Sequence, residues 1–146
     1  MFMLEKKYQN KKLKSNALIF YYFWKKYNMW IIKLGIIFSI LSIAIGAFGA
    51  HALANMIADK IEVFKTAVQY QIFHALGLIL IGIISKIFSV DLNIVAYLII
   101  SGIILFSGSL YMISIYKLSY LGMITPIGGT LFIIGWSLLL FRLSSL

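Results

Sequence analysis

Two histidines are the residues of this chain best equipped to do chemistry. His51 closes the run Gly46-Ala47-Phe48-Gly49-Ala50-His51, and His74 follows Thr66, Gln69 and Tyr70 in the next apolar stretch. An imidazole titrates near neutrality, so three chemistries are open to the pair. In the first, each histidine is neutral and hydrogen-bonds a backbone carbonyl, Tyr70 or a glutamine across a helix interface, worth about 0.6 kcal/mol. The second is a proton- or solute-handling site, since an ionisable group kept inside a membrane is costly. Such relays recruit Asp or Glu partners, and the apolar stretches contain neither. The third is ligation: two imidazoles suit axial haem but fall short of the four ligands of a closed zinc site. The sequence favours the first, with no metal and no cofactor expected.

Helical spacing sets the neighbours of His74. At 3.6 residues per turn, Thr66, Tyr70, His74, Gly77, Ile81 and Ser85 share one arc, and Gln69 and Gln71 flank it. The candidate polar site is therefore His51, Thr66, Gln69, Tyr70 and His74. The two histidines can meet only if the segment between their helices folds back. No nucleophile, base and acid fall together. Serines abound, but the nearest carboxylates, Asp59 and Glu62, sit at the membrane surface, and there is no cysteine. The chain is expected to be a non-enzyme.

The elements that must position these residues are membrane spans. The chain of 146 residues is 62% hydrophobic, with a mean hydropathy of +1.00, beyond what a soluble domain tolerates. A span needs roughly 20 mostly apolar residues. Four windows qualify, at 31–50, 67–85, 93–115 and 121–141. The expected fold is all-α: a polytopic membrane protein with four transmembrane helices in a compact antiparallel bundle, occupying residues 29–146. Asp59 to Lys65 reads as an amphipathic turn at the surface, with Ile61 and Phe64 inward. The short link around Tyr116 to Tyr120 makes the third and fourth helices antiparallel neighbours. Pro126 is expected to kink the fourth helix or widen its first turn; the other option is a helix start with Pro126 at its first position.

Charge then sets orientation. Net charge is +9 from thirteen basic and four acidic residues. Lys6, Lys7, Lys11, Lys12, Lys14, Lys25, Lys26, Lys33, Lys86 and Arg142 fall on one face of a four-span chain. Lys60, Lys65 and Lys117 fall on the other. The positive-inside rule places both termini in the cytoplasm, with the chain multi-pass in the cell membrane. Without residues 1–28 the count is three against three. That basic and aromatic extension is too short in its apolar octet, Ala17 to Trp24, to span. It reads either as an interfacial anchor, with Phe20 to Trp24 at headgroup depth, or as upstream of a true start at Met29. The lysines adjoin a membrane helix without a recognition fold, so no nucleic-acid partner is expected.

Small residues should form the helix interfaces, because in lipid close backbone approach replaces the hydrophobic force. Gly35, Ser39, Ser42, Gly46, Gly49 and Ala50 share a face of the first helix. Ser101, Gly102, Gly108 and Ser109 repeat at seven residues on the third. On the fourth, Gly128 and Gly135 align, with Gly129 beside them. Gly46, Gly49, Gly108, Gly128 and Gly135 are the expected packing positions.

Five strings carry a family resemblance: Gly46 to His51, Thr66-Ala67-Val68-Gln69-Tyr70-Gln71 with His74-Ala75-Leu76, Phe106-Ser107-Gly108-Ser109-Leu110-Tyr111, Thr125-Pro126-Ile127-Gly128-Gly129, and Gly135-Trp136. In order and spacing, over residues 31–143, the chain resembles the YgdD/YwdK-type family of small bacterial membrane proteins, a domain of unknown function. The resemblance implies a four-helix inner-membrane protein and no activity. Members of that family begin close to their first span, so residues 1–28 depart from the pattern.

Two functions follow as expectations. One is a structural or interaction component of the membrane, with the lipid bilayer and either further copies or a larger membrane protein as partners. The alternative is an oligomeric channel or carrier for a small solute, lined by the polar face of the second helix.

Overall fold

The computed structural model describes residues 29–144; the N-terminal extension, with the expected interfacial anchor, lies outside them. Four helices are long and apolar enough to cross a membrane. Lipid offers no partner for a free N–H or C=O, so an apolar run of this length folds into the one local structure that satisfies its own backbone. α1 is Trp30–Ala50, α2 is Ile61–Ile87, α3 is Asn93–Tyr116 and α4 is Thr125–Ser144. With 21 residues in α1, its length of about 31 Å matches a hydrocarbon core of about 30 Å.

Two expectations at the helix ends are corrected. Asp59 to Lys65 is not a separate surface turn. A single turn, Ala54–Ile57, and a 3-10 turn, Ala58–Lys60, lead straight into α2, and from Ile61 onward the segment is helix. Phe64 is buried on this first stretch. Pro126 does not kink α4 but stands second in it, after the 3-10 turn Ser119–Met123. The N–H groups of a first helical turn have no intrahelical acceptor, so proline loses nothing there. The helix recovers its spanning length by continuing past Phe141 to Ser144.

α3 is not uniform. Residues Ile103–Ser107 form a π turn between two α-helical halves, with the Gly108 N–H donating to the Ile103 carbonyl. This turn explains a third correction, at Gly108. An extra residue within one turn rotates the second half of α3 against the first, so a seven-residue spacing no longer aligns. A Cβ at Gly108 would meet no heavy atom within 4 Å. The close approach on α3 is at Gly102, against the Phe132 ring.

α1 lies antiparallel on α2, α3 packs on both α2 and α4, and α2 and α4 face each other across a gap bridged by side chains. The apolar core joins Ile31, Leu78, Ile81, Val95, Ile99, Ile103, Phe132 and Leu139. Gly49 receives the Phe64 ring, and Gly128 receives the backbone of Phe106. A Cβ at Gly135 would lie 2.9 Å from Ile99 Cδ1, whereas at Gly46 it would reach Val68 Cγ1 at an ordinary 3.4 Å.

Polar bonds register the helices. Gln71, 4% exposed, donates Nε2 to the Phe38 carbonyl at 3.0 Å and accepts the Tyr111 hydroxyl at 2.9 Å, tying α1, α2 and α3 together. Ser42 donates to the Val68 carbonyl at 3.1 Å, and Ser109 meets Thr125 at 2.8 Å between α3 and α4. At one end of the bundle, Trp30 Nε1 donates to Asn93 Oδ1 at 3.1 Å and its ring stacks on Tyr97. At the other, Lys117 bonds Asp59 and joins the two connecting segments.

Candidate functional site

The gap between α2 and α4 is a cavity of about 810 Å³, within the range of small-molecule sites. Its floor is Phe106 of α3. Because Gly128 has no side chain, α4 closes onto the Phe106 backbone, and the Phe106 ring stacks on Tyr70 with centroids 4.5 Å apart. The π turn that carries Phe106 also contains Ser107, whose Oγ is buried and makes no hydrogen bond. Turns of this kind occur often at functional sites.

α2 supplies the polar wall. His74 is 4% exposed. Its Nδ1 lies 2.7 Å from the Tyr70 carbonyl. A carbonyl only accepts, so Nδ1 carries the hydrogen and donates it. No charged side chain lines the cavity, and an uncompensated imidazolium there would be costly. The ring is therefore neutral, with a lone pair on Nε2. Nε2 makes no hydrogen bond to the protein, and the imidazole that carries it lines the cavity.

Aromatic rings fix that imidazole. Phe132 of α4 lies flat on it, with centroids 3.4 Å apart and planes inclined by 11°. Phe73 meets it edge-on at 5.2 Å. Trp136, one helical turn beyond Phe132, fits over Gly77, where a Cβ would come within 2.8 Å of its ring. The rim is polar but uncharged: Gln69 on α2, and Thr130 and Ser137 on α4. Thr130 spends its hydroxyl proton on the Pro126 carbonyl, at 2.9 Å.

The cavity opens sideways. Phe73 and Ile133 at its mouth are 62% and 69% exposed, and on helices of this hydropathy such flanks face lipid. His74 stands thirteen residues into α2, roughly 20 Å from its first turn at about 1.5 Å per residue, near mid-membrane. The arrangement offers one hydrogen-bond acceptor inside an aromatic pocket entered from the bilayer. Among the described residues no group of three or more His, Cys, Asp or Glu side chains could hold a metal ion.

Of the residues expected at the site, Gln69, Tyr70 and His74 line the cavity. Thr66, one turn before Tyr70, does not; its hydroxyl donates to the Glu62 carbonyl of its own helix at 2.8 Å. His51 is exposed beside the end of α1 and does not line the cavity either. The extra helical turns before α2 leave His74 deep while His51 stays at the membrane edge, so the two are not brought together. Phe73, Phe106, Phe132 and Trp136 complete the site. Phe132 and Trp136 stand at i, i+4, a signal of a shared face that does not say which neighbour the face meets.

Residues 45–129 match a family described as a protein of unknown function, DUF423. The UPF0382 membrane protein SH2409 of Staphylococcus haemolyticus is 46% identical over 110 residues, which is 75% of this chain and 90% of that protein. The UPF0382 membrane protein SSP2132 of Staphylococcus saprophyticus is 46% identical over 109 residues, 74% of this chain and 91% of its own. The UPF0382 membrane protein YwdK of Bacillus subtilis is 45% identical over 108 residues, 72% and 88% of the two chains. No solved structure matches the chain.

Proposed function

The chain belongs to the DUF423 family of membrane proteins, and we propose that this member is a binding protein whose α2–α4 groove takes a small molecule dissolved in the bilayer. One observation carries the reading: the buried imidazole of His74, with Nε2 unbonded, lines a cavity of about 810 Å³. Leaving a polar atom without a partner in apolar surroundings costs about 1–3 kcal/mol, which a ligand donor recovers. Binding without catalysis is the proposed role, since the groove holds no carboxylate and no activated nucleophile. A continuous pore is disfavoured by the aromatic floor of Phe106 and by Thr66, which stands outside the cavity. Both termini are assigned to the cytoplasm on the charge asymmetry of the full chain.

The test is extraction of the protein from its own membranes in polymer-bounded lipid discs, followed by mass spectrometry of bound small molecules. Thr130→Trp should fill the mouth from an exposed position and remove a molecule that the parent retains, at an unchanged melting temperature. Identical complements from both proteins would end the proposal.

The second reading, a structural component beside another membrane protein or further copies of this chain, draws support from α1. This helix packs chiefly on α2 and leaves Ile36, Ile40, Ile43 and Phe48 outward. A stoichiometric foreign protein in a gentle-detergent pull-down would favour it.

A further inference from the structure

We infer that the groove selects a neutral lipid-like alcohol whose hydroxyl donates to His74 Nε2 while its chain leaves between Phe73 and Ile133. This rests on the binding reading above and specifies the chemistry of the occupant. Three observations converge on that class. The free atom is an acceptor, because Nδ1 spends its hydrogen on the Tyr70 carbonyl, so the ligand must bring an O–H or N–H donor. No Lys, Arg, Asp or Glu lines the cavity. A phosphate, carboxylate or ammonium head would therefore be desolvated without compensation, and such heads are excluded. The mouth is flanked by Phe73 and Ile133, both open to lipid, so an apolar tail can stay in the bilayer while the head enters. A purely apolar occupant would leave Nε2 unpaired, and a water-soluble polar one would have no route from the membrane. A single hydroxyl on an apolar chain meets every condition.

The clamp on the imidazole makes the selection directional. Phe132 lies flat on the ring, and the Tyr70 bond fixes its rotation. Nε2 cannot turn to find another partner, so the recognition energy depends on the incoming donor.

The test uses the full chain in lipid nanodiscs with a photoreactive long-chain alcohol, crosslinked and mapped by peptide mass spectrometry. Unlabelled 1-hexadecanol, hexadecyl methyl ether and palmitate serve as competitors. Crosslinks are expected on α2 around Phe73 and on α4 around Ile133. Hexadecanol should compete about tenfold better than the ether, the ratio one net hydrogen bond of about 1.4 kcal/mol confers, and palmitate should compete poorly. His74→Phe should erase the preference for alcohol over ether, and His74→Gln, which keeps an acceptor, should retain part of it. Equal competition by alcohol and ether, with crosslinks still in the groove, would overturn the hydroxyl assignment and leave the binding reading standing. Palmitate competing as well as the alcohol at pH 9, where its carboxyl is ionised, would overturn neutrality in the same way. Crosslinks scattered over all lipid-facing helices would overturn the groove itself.

Discussion

Tyr111 of α3 donates its hydroxyl to Gln71 Oε1 of α2, and the same amide reaches on to the Phe38 carbonyl of α1. One buried side chain thus fixes the register of three helices whose apolar surfaces would otherwise slide at little cost. Interhelical hydrogen bonds in membranes average about 0.6 kcal/mol and reach about 1.7. Gln71→Leu should therefore lower stability by about 1–2 kcal/mol, and Tyr111→Phe by about half that. In a Gln71→Leu background the tyrosine change should cost nothing more, since its acceptor has gone. Unfolding in mild detergent measures all three; strictly additive losses would mean that the bond is not made.

The glycines separate by what stands opposite them. Gly128 faces the Phe106 backbone, which cannot rotate away. Gly128→Ala should therefore force α3 and α4 apart at a cost of about 1–3 kcal/mol and disturb the Phe106 floor. Gly49→Leu should disrupt the α1–α2 contact at Phe64, while Gly46→Ala should be near neutral. Gly108→Ala meets open space and should be neutral or mildly stabilising, as alanine favours helix over glycine. Melting temperatures of the four variants decide the matter, and a Gly108→Ala loss equal to that of Gly128→Ala would contradict the π turn.

How far the sequence could be read follows from the same contrast. The spans are legible because any apolar run of this length must satisfy its own backbone in lipid. Gln69, Tyr70 and His74 are legible as a face because helical periodicity is local. The aromatic half of the site is not. Whether Phe132 and Trp136 meet α2 or lipid depends on how α4 rotates over α3, and that is set by Gly128 against Phe106. Gly108 leaves the expected seam because its seven-residue spacing from Ser101 presumes an uninterrupted α-helix, and Ile103 to Ser107 contain no Gly or Pro to mark the π turn. The separation of His51 from His74 likewise depends on the fold of residues 54–60, where periodicity is too short to read.

Asp59 and Lys117 give a pH dependence outside the membrane. The Lys117 ammonium holds the Asp59 carboxyl below its ordinary range, so the folded state favours the ionised form. The sign follows: the contribution is present above the unfolded value of about 3.9, and it disappears as pH falls through the lower folded value. Both groups are exposed, so the effect should be small and should shrink with added salt. Melting temperature should fall for Asp59→Asn relative to the parent at pH 7. The two proteins should converge only as pH falls below the ordinary carboxyl value and through the lowered folded one. A difference that survives 1 M salt unchanged would show that Asp59 acts through something other than its charge.

By the positive-inside rule, the proposed orientation rests mostly on lysines outside the described residues. Within 29–144, Lys33, Lys86 and Arg142 stand at one end of the bundle and Lys60, Lys65 and Lys117 at the other, so the helical domain carries no bias of its own. Asp59 reduces it no further, since acids contribute little to insertion. The extension adds seven lysines to one side, and Lys25 and Lys26 lie within a few residues of α1, where basic residues act most strongly. A C-terminal fusion pair, one reporter active only in the cytoplasm and one only outside, should read cytoplasmic for the full chain. Begun at Met29, the same fusion should give both signals, each a substantial fraction of the total. A shortened chain that still reads wholly cytoplasmic would show that orientation is set by the helices, leaving the N-terminal lysines without a topological role.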